Sequence, residues 1–491
     1  MPSIRPVLAL LGALLMAFAV AMAVPLAVAW LGDEPHAARD AFAASIPAAL
    51  LLGMLLWSGN RERPRELQPR DGVLLVVLTW TVLPLCASLP LQLYFAGVGQ
   101  PLSFTDAAFE AMSALTTTGS TVLTGLDRLP LSINLWRCLL QWIGGMGILV
   151  LAVAILPLLG VGGSQLFRME SAGPMKDAKH TPRIAETAKG LWTVYASLSI
   201  ACLLAYRAGG MGWADAWMHM FTTVSLGGLS SHDASFGFFA SPALEWIAVV
   251  FMLVCSCNFA LYFLMLRKRS WRPLLADPES RGTLGVMVGA SLFVAALLMV
   301  EDEFQHVGEA LRMAFFHVVS IASTTGYAST DYGQWPPLVP ILLLLLSGLS
   351  TSAGSTGAGI KMIRLLILLK QARREMQRML HPRTVNPVML GQRPVAPAAI
   401  FSVLAFMLLY GATVIGLTFV LLGTGLPFDT ALSAVIGSVN NMGPGLNEIG
   451  PAGNYQPFTD VQTWVCTLAM LLGRLELLSV FVLLTPAFWR D

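Results

Sequence analysis

Four short glycine-bearing segments recur at near-equal intervals along a chain that is otherwise mostly apolar: Thr116-Thr117-Thr118-Gly119-Ser120, Val224-Ser225-Leu226-Gly227-Gly228, Ser323-Thr324-Thr325-Gly326-Tyr327 and Asn440-Asn441-Met442-Gly443-Pro444. Aligned on Gly119, Gly227, Gly326 and Gly443, they lie 108, 99 and 117 residues apart, about one hairpin of spanning helices plus a re-entrant segment per repeat. Any one segment would serve equally well as small-residue packing between membrane helices, but packing does not explain four in register. Four such loops can surround one axis. A dehydrated cation needs its lost water oxygens replaced, which rings of backbone carbonyls achieve where glycine lets the backbone turn inward. Thr117, Thr118, Ser225, Thr324 and Thr325 add side-chain oxygens beside three of the glycines, and Asn440 and Asn441 stand beside the fourth.

Each glycine follows an amphipathic stretch too short to span, over 105–117, 214–225, 308–323 and 428–440. Asp106, Asp215, Glu309 and Asp429 stand near the starts of these stretches, where a carboxylate complements the helix dipole. Capping explains them more simply than direct ion contact. The opposite end of each dipole, partially negative, would face the cation.

With 56% hydrophobic and 12% charged residues and a mean hydropathy of +0.69, the chain reads as an all-α polytopic membrane protein with no sizeable soluble domain. Ten spans are expected, near 7–31, 42–59, 72–97, 131–160, 185–208, 241–266, 281–300, 336–370, 396–422 and 460–487. Arg5 followed by an apolar run resembles a signal peptide, yet the run continues to Trp30, which favours a retained helix. With both termini placed in the cytoplasm, all of the 30 Lys and Arg residues but Arg39, Arg128, Arg137, Arg207, Arg312 and Arg474 fall in cytoplasmic loops or ends, as the positive-inside rule requires. Acidic residues, among them Asp33, Asp127, Asp233, Glu301 and Asp331, gather on the other face, either as a cation-concentrating vestibule or as ordinary solvated loop charge. The six cysteines sit in apolar helices without metal spacing, and the histidines form no HExxH pair.

Two further stretches stand out. Residues 349–361, Leu349-Ser350-Thr351-Ser352-Ala353-Gly354-Ser355-Thr356-Gly357-Ala358-Gly359-Ile360-Lys361, interrupt an apolar run with Gly, Ser and Thr that cannot keep a full helical ladder, and broken helices at membrane depth line cavities. A phosphate-loop reading of Gly354 and Gly359 fails, because Ile360 stands where that motif needs Lys. In Leu472-Gly473-Arg474-Leu475-Glu476, Arg474 lies inside the last apolar run, so it faces a pore or a structural ion-pair partner.

These segments, with two extra helices ahead of the first repeat, resemble the Trk/Ktr/HKT superfamily of potassium transporters over nearly the whole chain, and in particular the TrkH/TrkG branch. The resemblance implies four helix–pore loop–helix units around a central pore: 72–184, 185–280, 281–394 and 395–491, preceded by two outer helices in 1–71. It implies selectivity-filter glycines at Gly119, Gly227, Gly326 and Gly443, and K⁺ held at Thr117, Thr118, Ser225, Leu226, Thr324, Thr325, Asn441 and Met442. It also implies a gate formed by Gly354, Ser355, Thr356, Gly357, Ala358, Gly359 and Lys361, with Arg474 as a cationic barrier; Ala358 stands where the family commonly has a third glycine. K⁺ uptake with Rb⁺ acceptance across the bacterial inner membrane follows, as does a homodimer with a cytosolic TrkA-like ring subunit that binds NAD or ATP. No organic cofactor, nucleic-acid partner or enzymatic activity is expected. The basic loops 168–189, 267–281 and 370–393 could dock such a ring, although the positive-inside rule alone accounts for their charge. The alternative within transport is K⁺ coupled to H⁺ or Na⁺, for which Glu245 and Glu476 are the candidate titrating carboxylates.

Overall fold

A computed structural model describes residues 4–60, 68–154, 180–384, 386–391 and 393–490. Arg61, Arg63, Arg65, Arg168, Lys176 and Lys179, and with them most of the basic loop 168–189, lie outside the described residues. The fold is predominantly helical, with one two-stranded hairpin pairing Met389–Leu390 with Arg393–Pro394. Its polarity is inverted relative to a water-soluble protein. Leu51, Leu55, Leu345, Phe401, Leu408 and Phe419 point outward, while Ser113, Thr118, Ser225, Ser320, Thr325, Ser352 and Ser438 are buried near the centre. Such a surface suits hydrocarbon, and the buried hydroxyls must find partners inside.

Six helices among the described residues are long and apolar enough to cross a membrane: Ile4–Leu31, His36–Gly59, Arg70–Gly97, Ala188–Ala208, Pro278–Val300 and Pro397–Gly423. The helices Pro242–Cys255 and Phe259–Lys268 make a seventh if the 87° bend between them is counted as one broken span. The expected ten is therefore not reached by length and composition. The stretch expected over 336–370 is two helices, Leu338–Leu349 and Met362–Leu380, separated by the Gly/Ser/Thr-rich loop. The one expected over 460–487 breaks after Asp460–Arg474, where Glu476 and Leu477 adopt φ of 55° and 54°. The one over 131–160 is helical as Leu131–Ala154, and its remainder is outside the described residues. The Gly/Ser/Thr-rich loop frees backbone groups that other elements can take up, and both it and the break beside Leu475 and Leu477 are buried in the interior rather than at the apolar surface.

The leading pair of helices cross at Gly12 and Gly53, where a Cβ on Gly12 would stand 2.5 Å from the Gly53 carbonyl oxygen. Close backbone approach through small residues is how apolar helices associate without a hydrophobic driving force.

Candidate functional site

Four short helices, Phe104–Leu115, Trp213–Val224, Val307–Ala322 and Phe428–Val439, occupy the stretches read as too short to span, within two residues at every end. Asp106, Asp215, Glu309 and Asp429 all lie in their first turns. Each helix ends in the same backbone sequence. A left-handed residue comes two positions past the last helical residue, at Thr117, Leu226, Thr324 and Asn441, with φ of 55°, 54°, 65° and 47°. The next amide, of Thr118, Gly227, Thr325 and Met442, donates back to the carbonyl of Ser113, Thr222, Ser320 and Gly437, at 2.8 Å in every case. A glycine of positive φ follows: Gly119 at 87°, Gly228 at 74°, Gly326 at 85° and Gly443 at 101°.

This register corrects the sequence alignment in the second repeat by one residue. Gly228, not Gly227, is the backbone equivalent of Gly119, Gly326 and Gly443, and Gly227 matches Thr118, Thr325 and Met442. Two adjacent glycines are indistinguishable by spacing alone, whereas the torsion angles separate them.

The four turns touch in cyclic order. A Cβ on Gly119 would stand 2.2 Å from the Gly227 carbonyl oxygen, one on Gly228 would stand 1.8 Å from that of Thr325, one on Gly326 2.2 Å from that of Met442, and one on Gly443 2.8 Å from that of Thr118. Each repeat thus meets the next through a glycine and a carbonyl, and the fourth returns to the first. All four glycines also line one funnel of about 90 Å³ with Ser120, Thr121, Leu229, Ser230, His232, Asp233 and Tyr455. The hydroxyls singled out from sequence are engaged sideways. Ser225 Oγ donates to Phe221 O at 2.8 Å, Thr118 Oγ1 bonds Thr116 Oγ1 at 2.7 Å, and Thr325 Oγ1 bonds Ser323 Oγ at 2.7 Å. Asn441 Nδ2 donates to Thr118 Oγ1 and Met470 O, both at 2.9 Å, and Asn440 is bound by Tyr410 and Ser347. The side-chain oxygens of Ser225, Thr118 and Thr325 are thus taken up by neighbours.

A polar side chain inside each short helix holds the descending segment, a regularity that the sequence reading missed. Glu110 accepts from Val122 N at 3.1 Å, His317 Nε2 from Ser329 N at 3.2 Å, and Ser433 Oγ from Leu446 N at 3.0 Å; these amides all stand three residues past the glycine. In the second repeat His219 Nε2 bonds Ser230 Oγ at 2.9 Å. His219 and His317 are packed structural polar groups. Glu110 is paired with Arg137 at 2.7 Å with both side chains fully buried, and Arg137 also donates to Ser230 O at 3.2 Å. Gln141 spans the second turn by donating to Gly227 O at 2.7 Å and accepting from Leu229 N at 3.1 Å. Glu110, His219 and His317 stand nine residues before Gly119, Gly228 and Gly326, and Ser433 stands ten before Gly443, but their different residue types hid the pattern.

On the side opposite the funnel, the loop between Leu338–Leu349 and Met362–Leu380 lies against the ends of the short helices. Thr356 Oγ1 donates to Val224 O at 3.0 Å, and Ala358 N donates to Thr324 Oγ1 at 3.0 Å. Gly357 comes so near the turn that a Cβ would stand 3.0 Å from Ser323 O. The loop is also tied to the bend of the second repeat, where Phe259 N donates to Gly354 O and Ser352 N to Ser256 O, both at 3.0 Å. Gly354, Ser355, Gly357, Ala358, Gly359 and Lys361 line a second cavity, of about 30 Å³, with Arg474. Lys361 donates to Gly357 O within the loop.

Arg474 is buried and donates to Thr356 O at 3.2 Å and Gly144 O at 3.1 Å, with its guanidinium 5.6 Å from the Trp80 ring; among the described residues Nε has no partner. Among the described residues no carboxylate pairs with it, which removes the structural ion pair weighed from sequence. Glu476 lines the same cavity but pairs with Arg364, at 2.5 Å. Arg364 stacks 3.9 Å over Phe406 and so belongs to the wall rather than to the cavity.

The family model of TrkH, described as a cation transport protein, matches residues 38–490. Among curated relatives, the "Trk system potassium uptake protein TrkH" of Halomonas elongata is 43% identical over 494 residues, covering 99% of this chain and 100% of that protein. The protein of that name from Escherichia coli K12 is 42% identical over 487 residues, 99% of each chain. The crystal structure of the potassium transporter TrkH from Vibrio parahaemolyticus superposes with a TM-score of 0.91 at 40% identity, covering 99% of this chain and 100% of the other. Motifs, geometry and full-length similarity agree, and the chain belongs to the TrkH family of cation transport proteins.

Proposed function

We propose that the chain carries K⁺, and Rb⁺ with it, across the bacterial inner membrane through a channel-like pore whose selectivity filter is formed by the four glycine turns. The observation that carries this reading is the closed cycle of four left-handed turns, each glycine abutting a carbonyl of the next repeat. Carbonyls held in this way replace the hydration shell of a cation of fitting size. The C-terminal ends of four helix dipoles point to the same centre and favour positive charge there. In this reading the chain divides into 72–184, 185–280, 281–394 and 395–491 as pore repeats after two outer helices in 1–71, and both termini face the cytoplasm. The stretch 349–361 is the gate, through Gly354, Ser355, Thr356, Gly357, Ala358, Gly359 and Lys361, Arg474 is a cationic barrier beneath the filter, and a second copy of the chain and a nucleotide-binding cytosolic ring complete the assembly. The potassium-uptake names of the relatives support the choice of ion.

The test is rubidium uptake by the purified chain in liposomes down a K⁺ gradient, with excess external K⁺ or Na⁺ as competitor. Uptake blocked by K⁺ and little affected by Na⁺ supports the reading; equal competition by Na⁺ overturns the selectivity assigned to the four turns. Coupling to H⁺ is disfavoured by geometry, because both candidate carboxylates are ion-paired, Glu245 with Arg312 and Glu476 with Arg364. A pH gradient applied without a K⁺ gradient would drive uptake in a symporter and would leave a channel silent.

A further inference from the structure

We propose that Glu279 is the positioning residue that latches the gate loop shut. Its carboxylate is buried in the first turn of the helix Pro278–Val300, on a different element from the loop. Oε1 accepts from Ala353 N at 2.7 Å and from Ile363 N at 3.2 Å. These amides stand at the two ends of the loop, one before its Gly/Ser/Thr core and the other in the opening turn of Met362–Leu380. A single oxygen therefore ties together backbone positions ten residues apart.

The same face of that helix serves the loop at the next turn. Thr283 Oγ1 bonds Ser352 Oγ at 3.0 Å, and Gly282 leaves room for Met362, whose Cγ would be 3.2 Å from an added Cβ. Positions 279, 282 and 283 are i, i+3 and i+4, which lie side by side on a helix. The loop closes on itself beside this face, with Met362 N donating to Thr351 O at 2.7 Å and Ile360 N to Gly348 O at 2.6 Å.

Two duller roles for Glu279 fail. Capping is already performed by Asp277, whose Oδ2 accepts from Ser280 N at 2.7 Å. An ion pair is absent as well, since none of those among the described residues includes Glu279. A buried carboxylate with no cation in salt-bridge contact is costly and is sustained by the hydrogen bonds it accepts, here those of the loop ends. The latch also lies seven residues after Arg272, in the basic stretch that a cytosolic partner could pull, so displacement of that stretch would reach the loop through Glu279.

The proposal rests on the gate reading, and the experiment separates the two. Rubidium uptake by the chain alone in liposomes is measured for the natural sequence, for Glu279→Ala, for Glu279→Gln, for a deletion of Gly354–Gly359, and for that deletion combined with Glu279→Ala. Glu279→Ala is expected to raise basal uptake several-fold toward the level of the deletion and to add nothing in the deletion background. Glu279→Gln keeps Oε1 as an acceptor and is expected to restore most of the closure. A raised deletion with unchanged or lowered Glu279→Ala overturns the latch, as does Glu279→Gln that leaks as much as Glu279→Ala. No rise in the deletion overturns the gate itself. Where Glu279→Ala fails to give a monodisperse protein, Thr283→Val decides: a smaller rise supports the latch, and none overturns it.

Discussion

Gly228→Ala is the substitution whose effect the geometry constrains most tightly. Gly228 sits at φ 74°, where an L-residue costs roughly 1–2 kcal/mol, a tolerable fraction of the roughly 5–15 kcal/mol that holds a domain folded. The larger consequence is steric. The new Cβ would stand 1.8 Å from the Thr325 carbonyl oxygen, so that carbonyl must retreat by about 1.6 Å to reach the 3.4 Å of an ordinary contact. Such a retreat takes Thr325 O out of the ring. Losing one hydrogen-bond-like contact to a charged group costs about 1.5–3 kcal/mol, which converts to a fall in rubidium uptake on the order of ten- to a hundredfold. The assay is rubidium uptake in liposomes with K⁺ or Na⁺ as competitor, on protein whose elution profile matches the natural sequence. Gly227→Ala is the control. Gly227 has no positive φ, and the atoms nearest its added Cβ are those at the end of the Gln141 side chain, at 2.4 to 2.7 Å, rather than backbone, so its effect should be smaller. Natural uptake and K⁺ preference in Gly228→Ala, or greater damage from Gly227→Ala, would refute both the register and the role assigned to the turn.

Arg474→Ala removes charged donors from Thr356 O and Gly144 O and should raise basal uptake about tenfold or more with normal expression; unchanged uptake in folded protein would count against the barrier. Glu110→Ala strands the fully buried Arg137 and should destabilise by about 3–5 kcal/mol, read as a fall in melting temperature of the detergent-solubilised protein, and a melt equal to that of the natural sequence would contradict it. His232, in the loop after the second turn, bonds Asp127 Oδ1 at 2.5 Å and Asp215 Oδ1 at 3.2 Å through its two ring nitrogens. Partial burial works against its charge, but the two carboxylates outweigh burial and hold its pKa above the ordinary imidazole range. A raised folded pKa means a contribution that is complete below the unfolded imidazole pKa of about 6.5 and is lost as pH rises through the folded pKa. The melting temperature of the natural sequence relative to His232→Gln should therefore shrink between mildly acidic and alkaline pH, and a constant difference would exclude the charged pairing.

Local physics makes much of this protein legible in its sequence. Hydropathy and length mark membrane helices, the short amphipathic runs mark elements that stop midway, and a glycine after each run marks a turn that other residues resist. The same reasoning found residues 349–361 as a break and Arg474 as a charge in need of partners. It failed where the deciding contacts are distant in sequence. The apolar run 336–370 reads as one helix until the loop finds hydrogen-bond partners on Val224, Thr324 and Ser256, and the span 241–266 is bent by 87° where that loop docks. Composition marks the interruption at 349–361 but not what it docks on, and it does not mark the bend in 241–266 at all.

Periodicity, apolar length and the torsional freedom of glycine act over a few residues, so the sequence by itself determined the membrane class, the four-fold recurrence and the placement of the short helices. Tertiary structure decided the rest: that Gly228 rather than Gly227 takes the positive-φ position of the turn, that Glu110, His219, His317 and Ser433 pin the descending segments, that Arg474 has carbonyls and, among the described residues, no carboxylate, and that Glu279 holds both ends of the loop. Each of these depends on which groups meet across the fold inside an environment without water, where every buried donor and acceptor must find a partner, and the identity of that partner is not encoded near it in the chain.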